Sequence, residues 1–383
     1  MKIEENPQKT HRHHELDGIR GLAAVSVGIW HSLVIFVTLP VSLFAAALKA
    51  ATSGSTAVDA FFVLSGFVLP GMMRELTVAE TYQFYMRRFI RLYIPVFASV
   101  LLFLIFLFSF REYVAGSPGN HIWISYFNRA MELSRKEIFL NFIAYHDTYN
   151  PVLWTIRIEL FVSVLFPLLF YVWSGKKLLE DIVVLCGLVA AAAFLDRYKL
   201  RWLVVFHYLY LFYMGMIVRK IPLTKFPSRA IGVCLSLSIV VLLMLNAALY
   251  TNVYEFGAHP VSYDAVTAVL MSCLIYLTIA DKDGFISIVL RSKLVQFSGM
   301  ISYSYYLINY LFITLVGIAL IHYRVPQSVG PWGSVLILFG VSFAITIPLA
   351  YMFHIAIERP SVYIGRLVKR KFGPSGSVFD QGV

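Results

Sequence analysis

Residues 14–40 read HELDGIRGLAAVSVGIWHSLVIFVTLP, and the apolar run that begins at Gly18 decides the fold class. At the helical rise per residue, the run 18–40 spans roughly 34 Å, more than the ~30 Å hydrocarbon core of a bilayer. A polar lead of 17 residues precedes it and no small-residue cleavage site accompanies it, so it reads as a retained helix and not as a removed signal peptide. Similar runs recur at 56–73, 93–110, 152–173, 178–195, 202–218, 230–250, 262–280, 299–321 and 333–357. About ten such segments predict an all-α, polytopic integral membrane protein whose two termini share a side.

The composition points the same way. Of 383 residues, 59% are hydrophobic, 16% aromatic and 14% charged, with a mean hydropathy of +0.74. A soluble domain carries roughly 25% charge, so soluble cytosolic and secreted classes are excluded, and the spans leave room only for connections. The expected division is a polar N-terminus (1–17), a membrane domain (18–360) and a basic, partly disordered tail (361–383).

A net charge of +11 raises the question of a nucleic-acid partner, but in a membrane protein the placement of Lys and Arg outweighs their sum. Traced from a cytoplasmic N-terminus, the lead and the loops 74–91, 174–181, 219–229, 281–293 and 358–383 carry about 22 of the 32, against about 9 on the other side. The expectation is therefore N-in and C-in, with most of the basic excess explained by topology and no nucleic acid required. Cys186, Cys234 and Cys273 all fall in spans, with no disulfide framework and no metal-ligand spacing.

Two connections stand out. Residues 111–151 form one long loop, expected outside, with His121, Trp123, Tyr126 and His146; it is either a solvated connector or a cover over a site that contacts sugar. Residues 78–91, VAETYQFYMRRFIR, read as an amphipathic helix on the inner face, before the chain re-enters at Tyr93-Ile94-Pro95.

Ionisable groups at membrane depth are expensive, so each is a functional candidate. Arg20, Asp59, Asp264 and Glu358 lie near span ends and can reach the interface, while His207 and His354 read as packed histidines. His31 and Glu159 resist such explanations. His31 follows Arg20 by eleven residues, which puts both on one helix face roughly 16 Å apart along the axis. A basic residue precedes a His by eleven at Lys2/His13 and Arg135/His146 as well, but only Arg20/His31 lies in a span. Asp17, three residues before Arg20, can pair with it.

Several blocks then occur in an order that resembles the acyltransferase-3 family, multi-pass membrane enzymes that O-acylate cell-surface sugars. Asp17, Arg20 and His31 match that family's opening Asp-x-x-Arg and its basic residue followed by His. VDAFFVLSGFVL (58–69) is similar to its second helix, FYMRRFIRLYIP (84–95) to its Arg-rich block, and LWTIRIELFVSVLFP (153–167) to its Trp-Ser/Thr-x-x-x-Glu segment. ISYSYYLINY (301–310) and IERP (357–360) look like its late blocks, except that Asn309 stands where many members have His. Asn cannot accept a proton there but can orient a partner through hydrogen bonds.

The resemblance implies transfer of an acyl group, acetyl being expected, from cytosolic acyl-CoA to a hydroxyl of a surface or exported carbohydrate at a bacterial inner membrane. Neutral imidazole suits His31 to the role of general base, or of a group acylated in passing. Glu159 or Asp17 would orient its ring. Arg87, Arg88 and Arg91 would hold the phosphates of acyl-CoA, with Arg20 guiding the thioester arm, and the alternative for the Arg cluster is inside-positive anchoring. Asp59, Trp154, Tyr303 and Asn309 would meet the substrate; no metal is expected. The acceptor would enter past 111–151. The rival classes are a transporter or flippase, for which no inverted repeat is evident, and a structural or sensory membrane module, which has no need of His31 and Glu159 at depth.

Overall fold

The computed structural model describes residues 13–36, 43–110, 134–199, 203–224, 229–251 and 260–372. The lead before His13, most of the long loop (111–133) and the end of the tail (373–383) lie outside the described residues. The elements are α1 (His14–Phe36), α2 (Leu43–Ala51), α3 (Gly54–Val68), α4 (Val78–Ser109), α5 (Arg135–Phe142), α6 (Leu153–Ser174), α7 (Leu178–Arg197), α8 (Val204–His207) and α9 (Leu209–Lys220). They continue with α10 (Arg229–Thr251), α11 (Val261–Ala280), α12 (Phe285–Leu290), α13 (Lys293–His322), α14 (Val325–Phe353) and α15 (Arg359–Phe372). Among the described residues every element is helical, and nine helices are long and apolar enough to cross a membrane. The remaining apolar segment, 202–218, is broken at Tyr208 into α8 and the twelve-residue α9, each too short to span alone.

Helices α1 and α13 form the axis of the bundle. They run parallel in a fixed register: a Cβ added at Gly21 would meet Ser298 Oγ at 2.3 Å, and one at Gly28 would meet Tyr305 Oη at 2.2 Å. Farther along, Ile35 packs against Gly317. The small residues of the first helix therefore serve contacts within this chain. A second close crossing joins α3 to α9, where Cβ atoms at Gly66 and Gly215 would lie 1.9 Å from Phe212 O and 2.0 Å from Val63 O. Here the obstacle is backbone on both sides.

The outer helices show the inverse of soluble amphipathicity, apolar on both faces. On α4, Ile94, Phe97, Leu101, Ile105 and Phe108 form an exposed stripe at helical spacing, while Leu92, Val96, Val100, Phe103 and Leu107 are buried opposite. Cys186, Cys234 and Cys273 are free and exposed on this outer surface.

The stretch 78–91 is not a separate helix on the inner face. It is the first half of α4, which continues through the buried Pro95 to Ser109. Proline removes one backbone donor and so leaves the Arg91 carbonyl without its usual partner, a local defect that the helix tolerates within packed protein. The polar half of α4 is covered by α15, which crosses it at Gly365, where an added Cβ would lie 3.5 Å from Arg87 Cα. The amphipathic terminal helix is thus α15, part of what was expected to be tail.

Gly66→Ala is expected to cost about 1–3 kcal/mol through overpacking against a backbone carbonyl. Gly28→Ala, which meets the far end of a tyrosine, should cost less, and Gly187→Ala, with open space around it, nothing. Denaturation midpoints of the three variants in detergent check the order.

Candidate active site

At the end of the bundle where α1 begins, α1, α3, α4, α6, α13 and the α14–α15 junction enclose a cavity of about 510 Å³, within the range of small-molecule sites. Its wall carries Arg20, Arg88, Arg91, Arg359 and Arg366 against Asp17, Glu159 and Glu358, together with His354. The start of α1 and the chain's last described helix border the same cavity.

Two of the arginines are spoken for. Arg88, with a side chain only 6% exposed, donates from Nη2 to Glu159 Oε1 at 2.7 Å and from Nε to Ser163 Oγ at 3.2 Å. Ser65 also donates to Glu159 Oε1, at 3.3 Å. A buried guanidinium needs such a partner, and truncating either member would strand a charge. Arg20 pairs with Asp17 at 3.3 Å one turn earlier on α1. Arg91, Arg359 and Arg366 have no ion pair among the described residues, so the cavity retains an excess of positive charge.

Six of the eleven residues to which the sequence assigns a site role line this cavity: Asp17, Arg20, Arg88, Arg91, Glu159 and Tyr303. Tyr303 contributes its ring, since its hydroxyl donates to Leu92 O at 3.1 Å. Five do not line it. Arg87 turns away, donating to Gln83 O and to Met72 O and so clamping α4 to the end of the α3 segment. Trp154 packs against Tyr208, 5.9 Å between rings, within the hydrophobic interior. Asp59, His31 and Asn309 lie elsewhere.

His31 occupies the next tier of the bundle. Its ring meets Tyr310 edge-on at 5.2 Å, and Asn309 is a side-chain neighbour. Between this tier and the cavity stands Tyr306, whose hydroxyl shares a hydrogen bond of 2.9 Å with Thr155 and whose ring meets Phe61 at 5.7 Å. Contrary to the expectation from sequence, neither Glu159 nor Asp17 orients His31: both carboxylates engage arginines in the cavity, and Asn309 is the polar neighbour of the ring. The described part of the long loop, 134–151, reaches this level too. Asn150 is fully enclosed and donates to Leu307 O at 3.0 Å, one turn from Tyr310. Within it His146 bonds Glu137 at 2.8 Å and holds that carboxyl below its ordinary range.

Two aspartates depart from their sequence reading, while His207 is packed as expected. Asp59 and Asp264, expected at the interface, are 2% and 1% exposed, and His207 is 5% exposed. His207 Nε2 lies 3.1 Å from Asp264 Oδ2, with Asp59 an electrostatic neighbour of Asp264. They lie where α3 packs on α9 and α11, on the side of α3 away from the Val58, Phe61, Phe62 and Ser65 that line the cavity. His354, which reads as a packed histidine in the sequence, lies on the cavity wall, and Arg359 and Arg366, which read as inner-face charges, are brought beside Arg20 only by the fold; the IERP block is the available signal.

Among the described residues no group of His, Cys, Asp and Glu is arranged to hold a metal ion. Compared with curated proteins and with solved structures, the chain gives no match. A family model described as an acyltransferase domain, Acyl_transf_3, matches residues 13–351, nearly the whole chain. With its apolar helices and this match, the chain is a multi-pass integral membrane protein that belongs to the acyltransferase-3 family.

Proposed function

We propose that the protein transfers an acyl group, acetyl in the simplest case, from cytosolic acyl-CoA to a hydroxyl of an exported or surface carbohydrate at a bacterial inner membrane. The observation that carries this reading is the division of labour along α1: Arg20 enters a cavity with surplus arginine, and His31 stands eleven residues farther along the same helix.

A multiply phosphorylated donor suits the cavity end. Arg91, Arg359 and Arg366 offer forked donors that no ion pair among the described residues engages, so phosphate oxygens gain charge-assisted hydrogen bonds at no cost in broken ion pairs. Arg88 is already committed to Glu159, and its role is to keep the wall in place and the local potential positive. The thin thioester arm then runs along α1 toward His31. To pass, it has to displace the Tyr306 ring or open its hydrogen bond with Thr155, which makes that pair a gate between the donor cavity and the acceptor tier.

At the far tier His31 takes the proton of the acceptor hydroxyl as the oxygen attacks the acyl carbon. An alternative order, in which the His31 ring is acylated first and the acceptor attacks afterwards, uses the same geometry. Asn309, the polar side chain beside the ring, orients it without competing for the proton. The acceptor approaches past residues 134–151, which reach the level of Leu307.

Purified protein offered labelled acetyl-CoA and a carbohydrate acceptor should transfer label, and His31→Ala should lower the rate by about 100-fold or more while inserting normally. Full activity in that variant contradicts the assignment. Transport of the same solutes without transfer would favour a carrier instead. Arg91→Ala and Arg359→Ala should each raise KM for acyl-CoA by about 10-fold. Arg87→Ala should leave KM unchanged and lower stability; a KM increase for Arg87→Ala alone would place the phosphates on the outer side of α4. Mass spectrometry of surface glycans from cells with and without the protein identifies the acceptor.

A further inference from the structure

One histidine–carboxylate pair in the cavity wall has no part in the steps above. His354 opens a π-helical turn, His354–Glu358, that joins α14 to α15. Such turns widen the helix by one residue and often sit at functional places. His354 Nδ1 lies 2.9 Å from Glu358 Oε2, and the fully enclosed Ser304 donates to the same oxygen at 2.6 Å. Glu358 is therefore an acceptor held from two sides, and Nδ1 of His354 is the donor in this contact. The second ring nitrogen, Nε2, is left for the cavity that His354 lines. The pair lies beyond the residues matched by the family model, which end at 351.

Its position along the bundle is informative. Ser304, which anchors the pair, and Tyr310, which meets His31, are six residues apart on α13, roughly 9 Å of helix. Along the bundle axis, a base on the entering oxygen and an acid on the leaving sulfur of one acyl group need an offset of that order: two hydrogen bonds of about 3 Å each, plus the short path through oxygen, carbon and sulfur. In the other direction, twelve residues from Arg366 to His354 cover roughly 18 Å, room for an extended thioester arm between phosphates at Arg366 and a sulfur at His354.

We propose that His354 is the general acid of the donor half-reaction, with Glu358 and Ser304 as its positioning residues; the inference rests on the acyl-thioester reading above. His354 enters the step as imidazolium, stabilised by the Glu358 carboxylate as an orienting acid stabilises a catalytic imidazole. The thioester C–S bond breaks, and the electron pair goes to sulfur, which takes the Nε2 proton and leaves as a thiol. The new bond forms between the acyl carbon and the acceptor oxygen, whose proton goes to His31. Solvent then removes the proton from His31 and restores the one on His354, so no other reactant is required.

The test uses two donors. Acetyl-CoA has a basic thiolate as leaving group and needs the acid, whereas an acetyl thioester of an acidic aryl thiol does not. His354→Gln should lower kcat with acetyl-CoA by about 100-fold, leave KM within about twofold, and flatten the alkaline limb of the kcat pH profile. With the aryl thioester the same variant should retain at least about a third of the wild-type rate. Ser304→Ala, a smaller change that spares the turn, should show a weaker loss of kcat with the same donor dependence, and it carries the test if His354→Gln fails to fold. Equal slowing with both donors, or an unchanged kcat with acetyl-CoA, overturns the role of His354 and leaves the parent reading standing. Wild-type protein that transfers no acyl group from either thioester overturns the parent reading and this proposal together.

Discussion

The parallel packing of α1 on α13 is the constraint from which the rest of the structure follows. Gly21 and Gly28 let the two helices approach until side chains of one touch the backbone of the other. That closeness fixes their register, and the register assigns residues to tiers: Asp17 and Arg20 beside Gly299 and Tyr303 in the cavity, His31 beside Asn309 and Tyr310 beyond it. Bulkier residues at the glycines would separate the helices and dissolve both tiers at once. In a bilayer, where lipid is as apolar as leucine, this kind of close contact replaces the hydrophobic drive that would hold soluble helices together.

Burial of charge supplies the second constraint. Arg88 and Glu159 form an enclosed pair, as do Asp264 and His207 behind α3, and Arg20 leans on Asp17. What remains after pairing is a group of arginines, Arg91, Arg359 and Arg366, facing one cavity from two helices distant in sequence. With more arginines than carboxylates on its wall, the cavity favours an anion, and this is the physical basis for expecting phosphate there.

The helical class, the number of apolar segments and the shared face of Arg20 and His31 were legible in the sequence because each depends on local periodicity. Pairing was not. The sequence offers no reason for Glu159 to choose Arg88 over His31, since α4 and α6 meet only through the tertiary fold. Asp59 near the start of a span looks able to reach water, and only the packing of α3 on α9 and α11 explains why it does not. Pro95 suggested a break in α4, yet packed surroundings keep the helix whole. Arg359 and Arg366 read as tail charges because nothing local announces that α15 folds back onto α4. The match of ordered blocks to a family anticipated membership that the family model bears out over residues 13–351, while roles within the site depended on contacts that no block displays.

In the function proposed for this protein, donor recognition and chemistry occupy separate tiers of one helix pair. Equilibrium binding of a thioether analogue of acetyl-CoA, which cannot transfer its group, tests it most directly in protein reconstituted into nanodiscs. The account predicts that His31→Ala binds the analogue within about twofold of wild type, while the Arg91→Ala/Arg359→Ala double variant binds it at least about tenfold more weakly, with a reduced dependence on salt. Equal loss of binding in both variants, or wild-type affinity in the double variant, would contradict it.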